Sequence, residues 1–182
     1  MLRIAQMAAI VLAMLVSQAG AQNLEAANVE NLRAVLSGYH DVPGPDYWQK
    51  LDQDAARAAL LQLSSSESEN IHIRTRATHA LVNFANEEVE RKLSGMFNSS
   101  ERGYLRAAAL KAYSMVASQK AAPLLEKALA DHDDVVRISA IRSLGEMGGA
   151  EAIEILERAM NKENDPVTRN AMARSLQKIA PR

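Results

Sequence analysis

Across residues 73–181, apolar and polar positions recur with one long period. Four segments are variants of one pattern, and their anchoring arginines Arg74, Arg106, Arg137 and Arg169 stand 32, 31 and 32 residues apart. A second register agrees with the first: Leu61, Leu93, Leu125 and Leu156 recur at 32, 32 and 31 residues, and Phe97, Leu129 and Met160 follow four residues after the last three. Two registers sharing one period predict a tandem repeat, and its length fits two helices per unit. Alanines at Ala77, Ala109 and Ala140 let neighbouring second helices approach closely. Leu81, Tyr113, Leu144 and Leu176, four residues further on, fill the layer between units. Such a unit cannot bury its apolar face alone, so each needs the next.

Helical periodicity with its stop signals predicts helices over 22–36, 47–63 and 71–84, then pairs at 87–97 with 104–116, 121–130 with 135–147, and 150–161 with 167–179. Pro43, Gly44 and Pro45 separate the first two helices, with Asp46 placed to cap the second and Gln49 in the capping-box position. Gly145, Gly148 and Gly149 are placed to stop the helix before 150. The expected architecture is all-α: a short right-handed alpha-alpha superhelix of about four helix pairs with an N-terminal capping helix. Residues 22–46 form the capping helix and its Pro-Gly turn, and 47–182 the repeats, at 47–84, 86–117, 118–149 and 150–181.

Residues 1–21 stand apart from this pattern. Arg3 gives a short basic start, 7–16 is an unbroken apolar run, and Ala19, Gly20 and Ala21 offer small side chains for cleavage. This predicts a secretory signal peptide, too short for a membrane span, cleaved near Ala21, and hence a periplasmic or secreted protein without stable membrane insertion. Its removal takes away Arg3 alone among charged residues and leaves 20 basic against 22 acidic side chains. That balance gives no general attraction to nucleic acid or anionic membrane. The 182-residue chain has no cysteine, which excludes thiol chemistry and disulfide stapling.

The stretch Asp133, Asp134, Val135, Val136, Arg137, followed by Ala140 and Leu144, resembles the HEAT-repeat family, and within it the short bacterial class that includes phycobilin lyases. Weaker copies lie at Asp165 to Arg169, Tyr104 to Arg106 and His72 to Arg74, so the resemblance covers about residues 50–181. It implies a HEAT-like solenoid whose second helices line the concave side, with an aspartate before the second helix and an arginine within it forming ladders between units. Asp133, Asp134 and Asp165 match that pattern with Arg137 and Arg169. The first two units have Asn70 and Glu101 near the aspartate position. Members are mostly scaffolds and adaptors that bind proteins, and a minority act on bilin chromophores.

The column Arg74, Arg106, Arg137 and Arg169 reads as a structural inter-repeat ladder, each guanidinium bridging carboxylates such as Asp133, Asp134, Asp165 and Glu101. Five residues after each anchor lies a second basic column, His79, Lys111, Arg142 and Arg174, flanked by Arg76 and Lys178 on a polar face. A solvated helix face is one reading. The other is a contact surface for a protein partner with an acidic surface. The acidic first helices, including Glu87, Glu126, Glu151 and Glu157, read as a solubilising back. Tyr39, Tyr47 and Trp48 read either as packing at the cap junction or as an exposed partner contact.

Asp131, His132, Asp133 and Asp134 read as a capping turn, and no metal-ligand spacing or cofactor motif is present. None of Ser64, Ser65, Ser66 and Ser68 stands at a strand-to-helix elbow. The expectation is an exported HEAT-repeat scaffold or adaptor with no catalytic step and no cofactor. The alternatives are a bilin lyase- or isomerase-like chromophore-handling protein and a self-assembling envelope component.

Overall fold

A computed structural model describes residues 27–38, 43–99 and 102–179. The expected signal peptide lies outside them. Every regular element among the described residues is a helix. Chain contacts define two units, Met1–Ala59 and Leu60–Arg182.

In the first unit, α1 (Val29–Ser37) starts later than the periodicity predicts, because the Asn28 side chain accepts the Asn31 amide at 2.9 Å and caps the helix there. Residues 22–26 of the predicted helix are outside the described chain. Leu32 and Leu36 form its buried side. The predicted helix over 47–63 is broken in two, α2 (Pro45–Gln49) and α3 (Gln53–Ser65), the latter crossing the unit boundary. Asp52 accepts the Ala55 amide at 2.9 Å, capping α3, while the Gln53 side-chain amide donates to the Trp48 and Leu51 carbonyls at 2.9 and 3.0 Å. Asp46 is not the cap of α2; Gly44 holds that place, with Pro45 in the first turn where its missing N–H costs nothing. Trp48 is buried, its indole N–H donating to the Pro43 carbonyl at 3.1 Å, and its ring meets Tyr47 edge-on at 5.1 Å. Trp48 is therefore a packing residue. Tyr39 lies outside the described residues.

The second unit holds α4 (Ile71–Ala80), which runs on as a 3-10 turn Leu81–Phe84, then α5 (Glu87–Ser99) and α6 (Gly103–Ala117). After a second 3-10 turn, Ser118–Ala121, come α7 (Ala122–Ala128), α8 (Asp134–Met147), α9 (Gly149–Met160) and α10 (Pro166–Ile179). Helices α4, α6, α8 and α10 pack side by side as a row of second helices, while α5 packs on α6, α7 on α8 and α9 on α10. These contacts make a helix-pair solenoid. Ala77, Ala109, Ala140, Leu81 and Leu144 are all fully buried, as the period requires, and Met172 occupies the alanine position in α10. Tyr113 and Leu176 pack partly buried against the same core.

The small residues set how close the second helices come. Gly145, expected to help end the helix, instead sits inside α8, where an added Cβ would stand 2.9 Å from the Ser175 Cβ of α10. The Ser139 hydroxyl donates to the Ala107 carbonyl at 3.2 Å, joining α8 to α6. The stop itself is Gly148, at φ +67, a region that favours glycine. The equivalent exit from α6 is Ser118, at φ 51 and ψ −128, a conformation that strains any residue with a Cβ.

Candidate functional site

The basic column runs along the second-helix row. Lys111, Arg142, Arg174 and Lys178 are exposed, one or two per helix on α6, α8 and α10, whereas Arg76 and His79 on α4 are half-buried. The face is narrower than the helical spacing predicts. Two residues after their anchors, Ala108 and Ala171 are buried and Ser139 is engaged with α6, so on α6, α8 and α10 the exposed side chains of this face stand at the fifth and ninth positions.

His79 differs from the others in charge. Burial, and next the Lys111 ammonium group, push its imidazole below the ordinary histidine value, so it is neutral near pH 7. Lys111 is carried on α6, the second helix packed against α4. At neutral pH the positive charge of the column rests on Lys111, Arg142 and Arg174.

The arginine anchors do not all make the same contact. Arg106 is 6% exposed and meets Asp131 with both oxygens, Nε to Oδ2 at 3.1 Å and an η nitrogen to Oδ1 at 2.8 Å. This fork joins α6 to the loop between α7 and α8, one unit on. Burial would raise the Asp131 carboxyl, but the Arg106 hydrogen bond, the Asp133 amide and the positive charge nearby hold it below the usual carboxylate range. Arg137 pairs with Asp134 in its own first turn and donates to the Asp131 carbonyl at 2.9 Å. Arg169 donates to the Glu163 carbonyl at 3.1 Å, and Arg74 to the Ser64 carbonyl at 3.4 Å.

Of the carboxylates expected to bridge the arginines, Asp134 does pair with Arg137 but within its own helix, Asp133 and Asp165 cap helices, and Glu101 lies outside the described residues. Asp133 accepts the Val135 amide at 2.9 Å and caps α8; Asp165 accepts the Thr168 amide and hydroxyl at 2.8 and 2.7 Å and caps α10. The Thr168 hydrogen bonds hold Asp165 below the usual carboxylate range. Asp131, which the sequence pattern left unassigned as a ladder member, carries the rung. A helix-cap aspartate and a bridging aspartate look alike in a string of residues.

A second set of contacts on the first-helix row lay outside the predicted ladder. Lys127 donates to Asn98 Oδ1 at 2.8 Å and sits 5.8 Å from the centre of the Phe97 ring, while Arg158 pairs with Glu126 at 2.7 Å. Lys127 and Arg158 each stand two residues after a register leucine, Leu125 and Leu156. Each reaches back to the preceding unit. Glu126 is thus an inter-unit partner and not merely a solubilising charge.

Among the described residues no group of three or more His, Asp or Glu could hold a metal ion, and no helix is long and apolar enough to cross a membrane.

Residues 96–177 match the family of HEAT repeats. The fold is also that of a chain in the structure of the complex of CpcE and CpcF of phycocyanin lyase from Nostoc sp. PCC7120. The match has a TM-score of 0.52 and 20% identity, and covers 87% of this chain and 67% of that one. No curated protein matches the chain. The phycocyanin lyase likeness corrects the expectation of a chain without a catalytic step: the same helix-pair architecture serves a lyase complex, so the fold gives no ground for excluding enzyme activity.

Proposed function

We propose, on the premise of a HEAT-repeat fold related to a phycobilin lyase complex, that this chain is a chromophore-handling subunit, bilin lyase- or isomerase-like, that works while docked to a protein partner. The observation that carries this reading is the shared fold over 87% of the chain with a structure in which such a chain is complexed with another protein. The exposed cations of the second-helix row add a chemical reason. A linear tetrapyrrole presents two carboxylates, and Lys111, Arg142 and Arg174 recur at one repeat position on adjacent packed helices, about 8–10 Å apart.

The test is titration of biliverdin into the protein, followed by visible absorbance. The expected outcome is a saturable spectral change, weakened about tenfold or more in the variant carrying Lys111→Glu, Arg142→Glu and Arg174→Glu, with its helical circular dichroism unchanged. A wild-type protein that leaves the spectrum untouched sinks the chromophore reading.

A second reading is favoured by the apolar run at 7–16: an exported scaffold or adaptor, periplasmic or secreted after cleavage near Ala21, whose cation row docks an acidic protein surface. N-terminal sequencing of the protein recovered from an envelope fraction should then begin at Gln22. The same triple charge reversal should remove the captured partner. A chain that keeps residues 1–21 and stays with the cytosol argues against export.

A further inference from the structure

On the first-helix side of the second unit, a groove of about 290 Å³ opens between α7 and α9. Leu129, Ile155, Ala159 and Met172 supply its apolar wall, and Arg158 and Lys162 stand at its rim. The internal repeat explains why there is room. One unit earlier, the position of Leu129 is held by Phe97, that of Ala130 by Asn98 and that of Arg158 by Lys127. There the Phe97 ring is buried, and the Lys127 ammonium group lies 5.8 Å from its centre while donating to Asn98. Replacing ring and amide by Leu129 and Ala130 leaves the groove, with a cation still at the same repeat position. The protein thus contains, one junction away, its own version of an aromatic ring seated beneath a cation.

The charges at the rim decide what else the occupant carries. Glu126 is taken by Arg158 at 2.7 Å, and Glu163 accepts the Asp165 amide at 2.8 Å. Lys162 makes no ion pair among the described residues. The Glu126 charge is offset by Arg158 and one Glu163 oxygen is held by a backbone amide, which leaves Lys162 available to a carboxylate on the occupant. We propose that this groove binds a small molecule with one aromatic ring and one carboxylate. The ring lies against Leu129, Ile155 and Met172 beneath the Arg158 guanidinium, whose planar face suits an aromatic ring, and the carboxylate pairs with Lys162. The volume lies at the low end of ligand pockets, roughly 300–1,000 Å³, and so suits a single ring and not a polycyclic ligand.

The probe is 3-phenylpropionate, added to the full chain and followed by methyl NMR. Saturable shifts of the Ile155 and Met172 methyls are expected, with ring-current displacement, at about millimolar affinity. Cyclohexanepropionate should bind more weakly and give no ring-current displacement. N-acetylphenylalanine amide, which keeps the ring and lacks the carboxylate, should bind about threefold more weakly, and Lys162→Gln should cost 3-phenylpropionate a similar factor.

Leu129→Phe places the ring of the preceding junction into the groove and should abolish binding. If that variant does not fold, Ala159→Leu fills the groove from the other wall with the same expected loss. Absence of shifts in these methyls, or equal binding to the filled groove, overturns the proposal. Equal affinity for the amide overturns the carboxylate assignment and points to an aromatic side chain of a protein as the occupant.

Discussion

The junction between the second and third helix pairs (α5 and α6 against α7 and α8) and the junction between the third and fourth (α7 and α8 against α9 and α10) repeat one pattern with different cohesion. The earlier junction has a buried two-point ion pair, Arg106 with Asp131, and a buried Phe97 ring beside Lys127. It also seats Gly103 so tightly against Asp133 that an added Cβ would overlap the carboxylate. In the later junction the equivalent Arg137 turns back to Asp134 on its own helix, and the cross-unit pair Arg158–Glu126 is exposed on both sides. Equal sequence spacing therefore does not mean equal coupling. A buried charge pair is costly to break, whereas an exposed one is screened.

The largest expected effect breaks this contrast at its source. Asp131→Ala leaves the Arg106 guanidinium buried without its carboxylate and should lower stability by about 3 kcal/mol in urea unfolding. Asp134→Ala removes an exposed, local pair and should cost at most about 1 kcal/mol. Similar costs for the two variants would erase the distinction between the junctions. The pH dependence sharpens it. Asp131 has a folded value below its unfolded one, so its contribution is present above the unfolded value and is lost as pH falls through the lowered one. The difference between wild type and Asp131→Ala should therefore shrink in acid.

A smaller effect is expected where the two second helices end. Ser118 leaves α6 with φ 51, while Gly148 leaves α8 with φ +67. Ser118→Gly should raise stability by about 1 kcal/mol, the relief of backbone strain exceeding the added freedom of the unfolded chain. A lower melting temperature for Ser118→Gly would mean that the serine conformation is not strained.

The smallest effect concerns His79. Its folded value is depressed, so the unfolded chain binds the proton more readily. Stability is complete above the unfolded histidine value of roughly 6.5 and falls as pH drops from there toward the folded one. His79→Gln should flatten thermal stability between about pH 7 and pH 5 by less than 1 kcal/mol. An unchanged slope would remove His79 as its source.

Most of the helix-pair order was legible because burial repeats: Ala109, Ala140 and Leu144 appear in the sequence at the spacing that packing demands and are all fully buried. The break between α2 and α3 was not legible from apolar spacing, since it depends on Asp52 and Gln53 side chains competing for backbone groups. The basic column was legible as a recurrence, but His79 reads as a cation until its burial beside Lys111 is known. The rung through Asp131 was hidden for a related reason. Three aspartates lie within four residues, and only the fold decides which one caps a helix and which one meets an arginine 25 residues away. The contacts of Lys127 and Arg158 carried a signal that could have been followed, a basic residue two positions after successive register leucines.

The close approach of Gly145 to Ser175 has a mechanical consequence. Along the second-helix row, the helices come close there and the short Ser139 side chain reaches the Ala107 carbonyl, whereas the first-helix row is joined by long side chains. Stiffness is thus concentrated on one edge of the stack, and bending should open and close the opposite edge like a hand fan around its rivet. Paired spin labels at Glu126 and Glu157 should show a broader distance distribution than a pair at Lys111 and Arg142, and equal widths would refute the pivot.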